Sequence, residues 1–285
     1  MTRALKQSMS HIKKINPDIV IGMGGFVSGP GGLASWLLGY PLVIHEQNAR
    51  AGLTNKLLKP LAKRVLSGFP NVFRDDAKTI VVGNPIRTEL TGLSEPALRL
   101  NGRTPFRLLV LGGSLGAKAI NEVVPNALAL LQENERPAVT HQTGDKHYEI
   151  AKAAYEAKGV SATLMPFIND MAAAYGNADM VLCRAGALTV AELCAVGLGS
   201  ILVPFPYAVD DHQTINAHYL VDRNAAVCVP QRDLSAEHLA SLLSNFARAP
   251  ETRLAMAEAA YEARRTQVTE TICQVLYDIV KEAAT

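Results

Sequence analysis

The sequence predicts an α/β protein built as two Rossmann-like lobes with parallel sheets, the first lobe incomplete. Three observations carry this. The chain has 285 residues, more than one domain usually holds. Short β-branched runs alternate with helical patterns along nearly all of it, which is the signature of βαβ units. The runs are also apolar throughout rather than alternating with polar residues, as when helices cover both faces of a parallel sheet and the crossovers are right-handed.

The first lobe opens on a helix over 2–15 instead of a strand. Strand candidates follow at 18–23, 41–45, 64–68 and 79–83. A joint is expected near Asn84, Pro85, Ile86 and Arg87, where a strand meets a proline and the polar, Pro-containing stretch 93–105 comes next. The second lobe has six candidates, at 106–111, 138–142, 162–166, 180–183, 200–204 and 225–229. A last helix over about 268–283 could cross back to the first lobe, so the expected division is 1–86 with about 268–285, and 87–267. Ligands of such sheets bind beyond the carboxyl ends of the strands, which places the expected site in a cleft between the lobes.

Composition narrows the function. Net charge is +2, far from the basic balance that a nucleic-acid partner demands, so DNA and RNA are not favoured. Cys183, Cys194, Cys228 and Cys273 are scattered, form no Cys-x-x-Cys pair and read as reduced core residues of a cytoplasmic protein. No apolar stretch approaches the roughly 18 residues of a bilayer span, so any membrane contact would be peripheral.

Two strand-to-helix turns of the second lobe are phosphate candidates. In the first, Gly112, Gly113, Ser114, Leu115, Gly116 and Ala117 follow a strand, and glycines let backbone amides and a helix N-terminus close on a phosphate. A plain structural turn would read the same way, and the third glycine of a dinucleotide fingerprint is wanting. In the second, Ala187, Leu188, Thr189, Val190, Ala191 and Glu192 begin a helix whose first amides could hold a diphosphate. Glu192, one turn in, could accept hydrogen bonds from ribose hydroxyls. Thr189 and Glu192 equally fit a Thr-x-x-Glu capping box, and the residues alone leave the two readings level.

After the strand at 200–204, polar residues bunch as in a cleft-lining loop, and Gln213 could bond sugar hydroxyls through both donor and acceptor. Asp210, Asp211 and His212 are adjacent in that loop and do not make a metal ligand set; no metal and no cofactor is expected. In the first lobe the glycine-rich run 22–32 permits close backbone approach, and His45, Glu46, Gln47 and Asn48 end a strand. His45 or Glu46 could serve as acid or base, or simply brace loops. Arg3, Lys6, Lys13, Lys14, Lys56, Lys59, Lys63 and Arg64 lie near Trp36, Leu37, Leu38, Leu57, Leu58 and Leu61 in sequence, a mix that suits either an anionic membrane surface or an ordinary solvated helix face.

Taken together and in order, these stretches resemble the MurG family of glycosyltransferases. The matching wording is GMGGFVSGPGG at 22–32, HEQN at 45–48, AGLTNK at 51–56, GNPIR at 83–87, GGSLGA at 112–117, FINDMA at 167–172, RAGALTVAE at 184–192, and 204–217 around His212 and Gln213. The resemblance implies a GT-B fold with UDP-N-acetylglucosamine (UDP-GlcNAc) held mainly by the second lobe. It implies an inverting transfer of GlcNAc to the 4-hydroxyl of undecaprenyl-diphospho-MurNAc-pentapeptide (lipid I), giving lipid II in peptidoglycan synthesis, and hence roles in cell wall biogenesis, cell shape and division. Carried onto this chain, Ser114 and the Ala187 to Thr189 turn contact the diphosphate, with Val190 and Ala191 in the same motif. Ile168 meets the uracil through its backbone, Glu192 the ribose and Gln213 the GlcNAc. Asn48 and Arg87 face the cleft, Arg87 opposing the diphosphate charge. The implied location is peripheral, on the inner face of the bacterial cell membrane, with its anionic surface as a further partner.

One departure stands out. The family opens with a strand and a histidine-containing loop of the form GGTGGHxFP that supplies the base; no such motif is present, and no catalytic residue is assigned. With every donor-site residue intact, a truncated or misassigned start is expected, rather than a shortened relative that binds a UDP-sugar without turnover. A UDP-GlcNAc 2-epimerase-like enzyme is the third reading; it shares the fold and needs acid and base carboxylates.

Overall fold

A computed structural model describes residues 2–73, 77–100, 102, 104–113 and 116–284. The chain divides into two units, Met1–Pro85 with Arg265–Thr285 and Ile86–Arg264.

Unit 1 contains helices α1 (Thr2–Ile15), α2 (Ser28–Leu37) and α3 (Leu53–Leu58) and strands β1 (Val20–Gly22), β2 (Leu42–Glu46), β3 (Arg64–Ser67) and β4 (Thr79–Val81). The strands form one parallel sheet in sequence order, with Val20 opposite Leu42, Val43 opposite Arg64 and Val65 opposite Thr79. All five residues of β2 are buried, which explains the apolar run Leu42–Ile44 with which it begins; His45 and Glu46 end it as buried polar residues. On one face Val43, Leu66 and Val82 pack against Val268, Ile272 and Ile279 of the C-terminal helix (Val268–Ala284). On the other, Leu42, Ile44 and Val65 meet Leu58 and Ala62.

Unit 2 contains the short helices α4 (Thr88–Thr91) and α5 (Pro96–Arg99), then β5 (Arg107–Leu111), α6 (Lys118–Leu130), β6 (Ala138–Gln142), α7 (Tyr148–Ala157), β7 (Thr163–Met165), α8 (Met171–Gly176), β8 (Met180–Cys183), α9 (Ala187–Val196), β9 (Ser200–Leu202), α10 (His212–Val221), β10 (Ala226–Cys228), α11 (Ala236–Arg248) and α12 (Pro250–Glu262). Its six strands lie parallel in the order β10-β9-β8-β5-β6-β7. The chain therefore winds outward in both directions from β5 and β8, and a crevice opens beyond their carboxyl ends. Leu108, Val110, Val124, Leu128, Leu182 and Val203 fill the core beneath. Each such side chain contributes about 1.5–3 kcal/mol by leaving water.

The predicted elements are all present, with strand ends trimmed. The 225–229 run is a strand only over Ala226–Cys228, although Val229 still donates its amide to Leu202 O at 2.8 Å. Helix α9 forms because Val190, Leu193 and Cys194 bury one face. It stops at Gly197, which takes the left-handed conformation (φ 60°) and where a Cβ would lie 2.5 Å from Pro96 Cγ. Among the described residues no helix is long and apolar enough to cross a membrane.

Candidate functional site

The crevice of unit 2 holds a cavity of about 360 Å³ lined by Arg87, Gln142, Ile168, Tyr175, Thr189 and Glu192 among others. Gly112 and Gly113, leaving β5, form part of its wall. The turn they begin needs glycine again at Gly116, where φ is 75° and a Cβ would sit 2.6 Å from Thr143 O. Across the crevice α9 starts at Ala187. Its N-cap, Gly186, offers no side-chain bond, and the first intrahelical bond runs from Val190 N to Gly186 O at 2.9 Å. The amides of Ala187, Leu188 and Thr189 thus precede the helical ladder, at the positive end of the helix dipole, where an anion is favoured.

Of the two readings of Glu192, the structure removes one. Thr189 lies inside the helix and is not its cap, so the capping-box reading fails. The carboxylate lines the cavity and accepts the Tyr175 hydroxyl at Oε2, 3.0 Å away. Burial raises its pKa above the ordinary carboxylate value, opposed by the Tyr175 hydrogen bond and the positive charge of Arg87. Tyr175 is itself fully buried, and burial together with the facing carboxylate drives its phenol well up, keeping it a donor.

Of the expected site residues, Arg87, Ile168, Thr189 and Glu192 come together on this one cavity. Ile168 is buried in the loop that follows β7, and Arg87 stands at the start of α4. Ala187 is buried and Leu188 half exposed. Val190 departs from expectation: it faces the core, and its amide is committed to Gly186 O, so neither side chain nor N–H is open to a ligand. Ala191 is half-buried within the helix. Ser114 lies outside the described residues. Gln213 lines a second cavity, of about 620 Å³, together with Lys118, His147, Phe205 and Gln231. Its Oε1 accepts the Phe205 amide at 2.9 Å, so the side-chain NH₂, rather than donor and acceptor equally, is the freer hydrogen-bonding group. Asn48 belongs to unit 1, where its backbone and side-chain amides donate to Glu46 Oε1 at 3.0 and 3.3 Å.

The acid or base candidates of unit 1 turn out to be braces. Glu46 is almost fully buried, and besides the Asn48 bonds it accepts Gly52 N at 3.0 Å and Asn55 Nδ2 at 2.8 Å. His45 is buried with its Nε2 2.9 Å from Gly83 O, and burial lowers its pKa, keeping it neutral.

Sequence reasoning missed three contributors. Tyr175 sat unremarked in an alanine-rich stretch, and no spacing rule connects it to Glu192. Arg184, which lines both cavities, donates to Val203 O and Pro204 O at 3.0 and 3.1 Å and to Gln231 Oε1 at 2.6 Å, and lies over the Phe205 ring. The guanidinium thereby fixes the loop on which the Gln213 bond depends. His141 is buried between Tyr155 OH and Asn121 Oδ1, each 3.0 Å away, and Asn121 Nδ2 donates to Thr143 O at 2.9 Å, the carbonyl that abuts Gly116. Burial lowers the His141 pKa to about 4. A histidine inside a strand is the signal that could have exposed this network.

Comparisons with known proteins identify the family. The glycosyltransferase family 28 C-terminal domain matches residues 107–272, and the family 28 N-terminal domain matches residues 1–67. The UDP-N-acetylglucosamine--N-acetylmuramyl-(pentapeptide) pyrophosphoryl-undecaprenol N-acetylglucosamine transferase of Marinobacter nauticus is 53% identical over 95% of this chain and 75% of its own. The crystal structure of Acinetobacter baumannii MurG superposes with a TM-score of 0.85 at 38% identity, over 97% of this chain and 78% of that one. A UDP-GlcNAc 2-epimerase from Neisseria meningitidis gives a TM-score of 0.66 at 12% identity, over 97% and 80% of the two chains, a likeness of fold alone. With glycosyltransferase family 28 domains matching both of its ends and a relative more than half identical along nearly all of its length, this chain belongs to the MurG family of GT-B glycosyltransferases.

Proposed function

We propose that the protein transfers GlcNAc from UDP-GlcNAc to lipid I, forming lipid II. The observation that carries this is the juxtaposition, on one cavity, of an uncapped helix N-terminus, a guanidinium and a half-buried carboxylate. Those are the groups a nucleoside diphosphate needs: amides of Ala187, Leu188 and Thr189 and the charge of Arg87 for the phosphates, Glu192 for the ribose diol, and the backbone at Ile168 for the base. Gln213 reaches the GlcNAc through its NH₂.

The reaction is a displacement with inversion. The acceptor 4-hydroxyl attacks the anomeric carbon and loses its proton to a base, while the bond to the β-phosphate oxygen breaks and UDP leaves with the electron pair. The negative charge that grows on the leaving diphosphate is met by the α9 dipole and by Arg87.

The acceptor is a lipid, and unit 1 offers a surface suited to a membrane. α1 packs on α2 and α2 on α3. Trp36 and Leu37 of α2, Leu53 and Leu57 of α3, and Phe26 (93%) and Val27 (86%) just before α2 are exposed, with Lys13, Lys14, Lys56 and Lys63 also at the surface. Leu58, grouped with them by sequence, is in the core. Apolar side chains in a basic surround favour the anionic inner leaflet. Phe26→Ser with Val27→Ser weakens co-sedimentation with anionic vesicles while leaving UDP-GlcNAc affinity intact; equal binding of variant and parent would remove the assignment.

Calorimetry with UDP-GlcNAc, followed by transfer of labelled GlcNAc to a lipid I analogue, tests the whole reading. Binding and an inverted, lipid-linked product are expected. Absence of both with the folded protein would overturn it.

A further inference from the structure

Resting on the ribose assignment of Glu192, we infer that Tyr175 is the positioning residue that orients the Glu192 carboxylate and so makes the site select ribose over 2-deoxyribose nucleotides. Tyr175 is on α8, whose start is pinned by Asp170 accepting the Ala173 amide at 2.8 Å. Its ring is fully buried, and its hydroxyl, on the wall of the 360 Å³ cavity, donates to Glu192 Oε2 at 3.0 Å. A glutamate on a helix surface has three side-chain torsions to fix before it can clasp a diol, and each costs entropy. A phenol held rigid by burial fixes them in advance, because it has few torsions of its own and its donor stays in place.

The geometry also divides the carboxylate. A carboxylate has about four acceptor positions on its two oxygens. Tyr175 takes one of them on Oε2, which leaves Oε1 and the remaining position of Oε2 for the ligand. A ribose presents two neighbouring hydroxyl donors that suit two adjacent oxygens. A 2-deoxy sugar presents one, and leaves an acceptor of a half-buried carboxylate without a donor, the kind of loss on which polar sites discriminate. Burial raises the Glu192 pKa, and Tyr175 and Arg87 are the groups that oppose that rise, so the Tyr175 hydrogen bond favours the charged carboxylate.

The test is calorimetry of UDP and 2′-deoxy-UDP with the parent, Tyr175→Phe, Glu192→Ala and the double variant, alongside steady-state kinetics. The parent should prefer UDP by roughly 10-fold or more. Tyr175→Phe should lose about 5-fold in UDP affinity, pull the UDP to 2′-deoxy-UDP ratio towards unity, and raise the KM for UDP-GlcNAc at unchanged kcat. In the Glu192→Ala background it should change nothing. The inference is overturned if Tyr175→Phe keeps the parental ratio, or if it costs as much without Glu192 as with it. A parent that binds neither nucleotide defeats the donor assignment itself, a different failure. Should the phenylalanine loosen α8, 3-fluorotyrosine placed at position 175 keeps the shape and strengthens the donor. It alters the ratio if the hydrogen bond sets selectivity, and an unaltered ratio rejects the inference.

Discussion

Each unit holds a carboxylate near the carboxyl end of a parallel strand, and the two are spent differently. Glu46, in unit 1, accepts four N–H groups of its own chain, from Asn48, Gly52 and Asn55. Glu192, in unit 2, accepts the Tyr175 hydroxyl and turns its remaining capacity to a cavity. A buried acid whose acceptors are filled from within is part of the frame. One with acceptors left over beside an open cavity is a candidate for a site.

The largest effect that could break this contrast is on stability. Glu46→Ala strands buried donors of the 48–55 loop, a loss of about 3 kcal/mol. The melting temperature of unit 1 should fall by roughly 10 °C, while UDP affinity of the remaining folded protein stays near the parental value. A thermally neutral Glu46→Ala that abolishes UDP binding would reverse the roles given to the two acids.

The second effect concerns unit 2 and acid. His141 has both ring nitrogens engaged and a folded-state pKa near 4, against 6.5 for the free side chain. Because the folded pKa is depressed, the unfolded chain takes up the proton first. Stability is therefore full above pH 6.5 and falls as pH drops from there towards 4, by about 3 kcal/mol in all. Urea denaturation at a series of pH values should show the fall, and His141→Gln should flatten it at the cost of a lower plateau. An unchanged slope in the variant would assign the acid sensitivity to other groups.

Third comes Glu192→Ala, which should weaken UDP-GlcNAc by roughly 10- to 100-fold, as loss of hydrogen bonds to a charged group does, with a melting temperature close to the parent's. A large thermal loss with little change in affinity would make Glu192 a second brace.

What the sequence made legible follows the same line. Short apolar runs separated by helical patterns marked both sheets and the ten strand positions, most plainly where burial on two faces writes itself into composition, as in β8. The two strand-to-helix passages were legible too, since Gly116 and the start of α9 obey local rules. What stayed hidden were relations across elements. Nothing within four residues of Glu192 announces Tyr175, 17 residues upstream, as its donor. Nor does any spacing tie Arg184 to Gln231, 47 residues on. Thr189 and Glu192 misled in the opposite way, offering a capping pattern that fails once the helix is seen to begin at Ala187. Val190 shows the limit of a motif read whole: between Thr189 and Glu192, which line the cavity, it points into the core.

The smallest effect sharpens the contrast, because it concerns a side chain that belongs to both categories. Gln213 gives its oxygen to the Phe205 amide, as a brace does, and keeps its NH₂ beside the second cavity, as a ligand group does. Gln213→Glu keeps the acceptor for Phe205 and removes the donor, so it should leave the loop in place and raise the KM for UDP-GlcNAc by about 5-fold, the worth of one hydrogen bond. UDP itself, lacking the sugar, should bind as before. Arg184→Ala should act on the same loop from the other side: with Val203 O, Pro204 O and Gln231 Oε1 released, the loop loosens, and the affinity for UDP-GlcNAc falls more than that for UDP. If both variants weakened UDP and UDP-GlcNAc equally, the second cavity would not be reading the sugar, and Gln213 would join Glu46 in the frame.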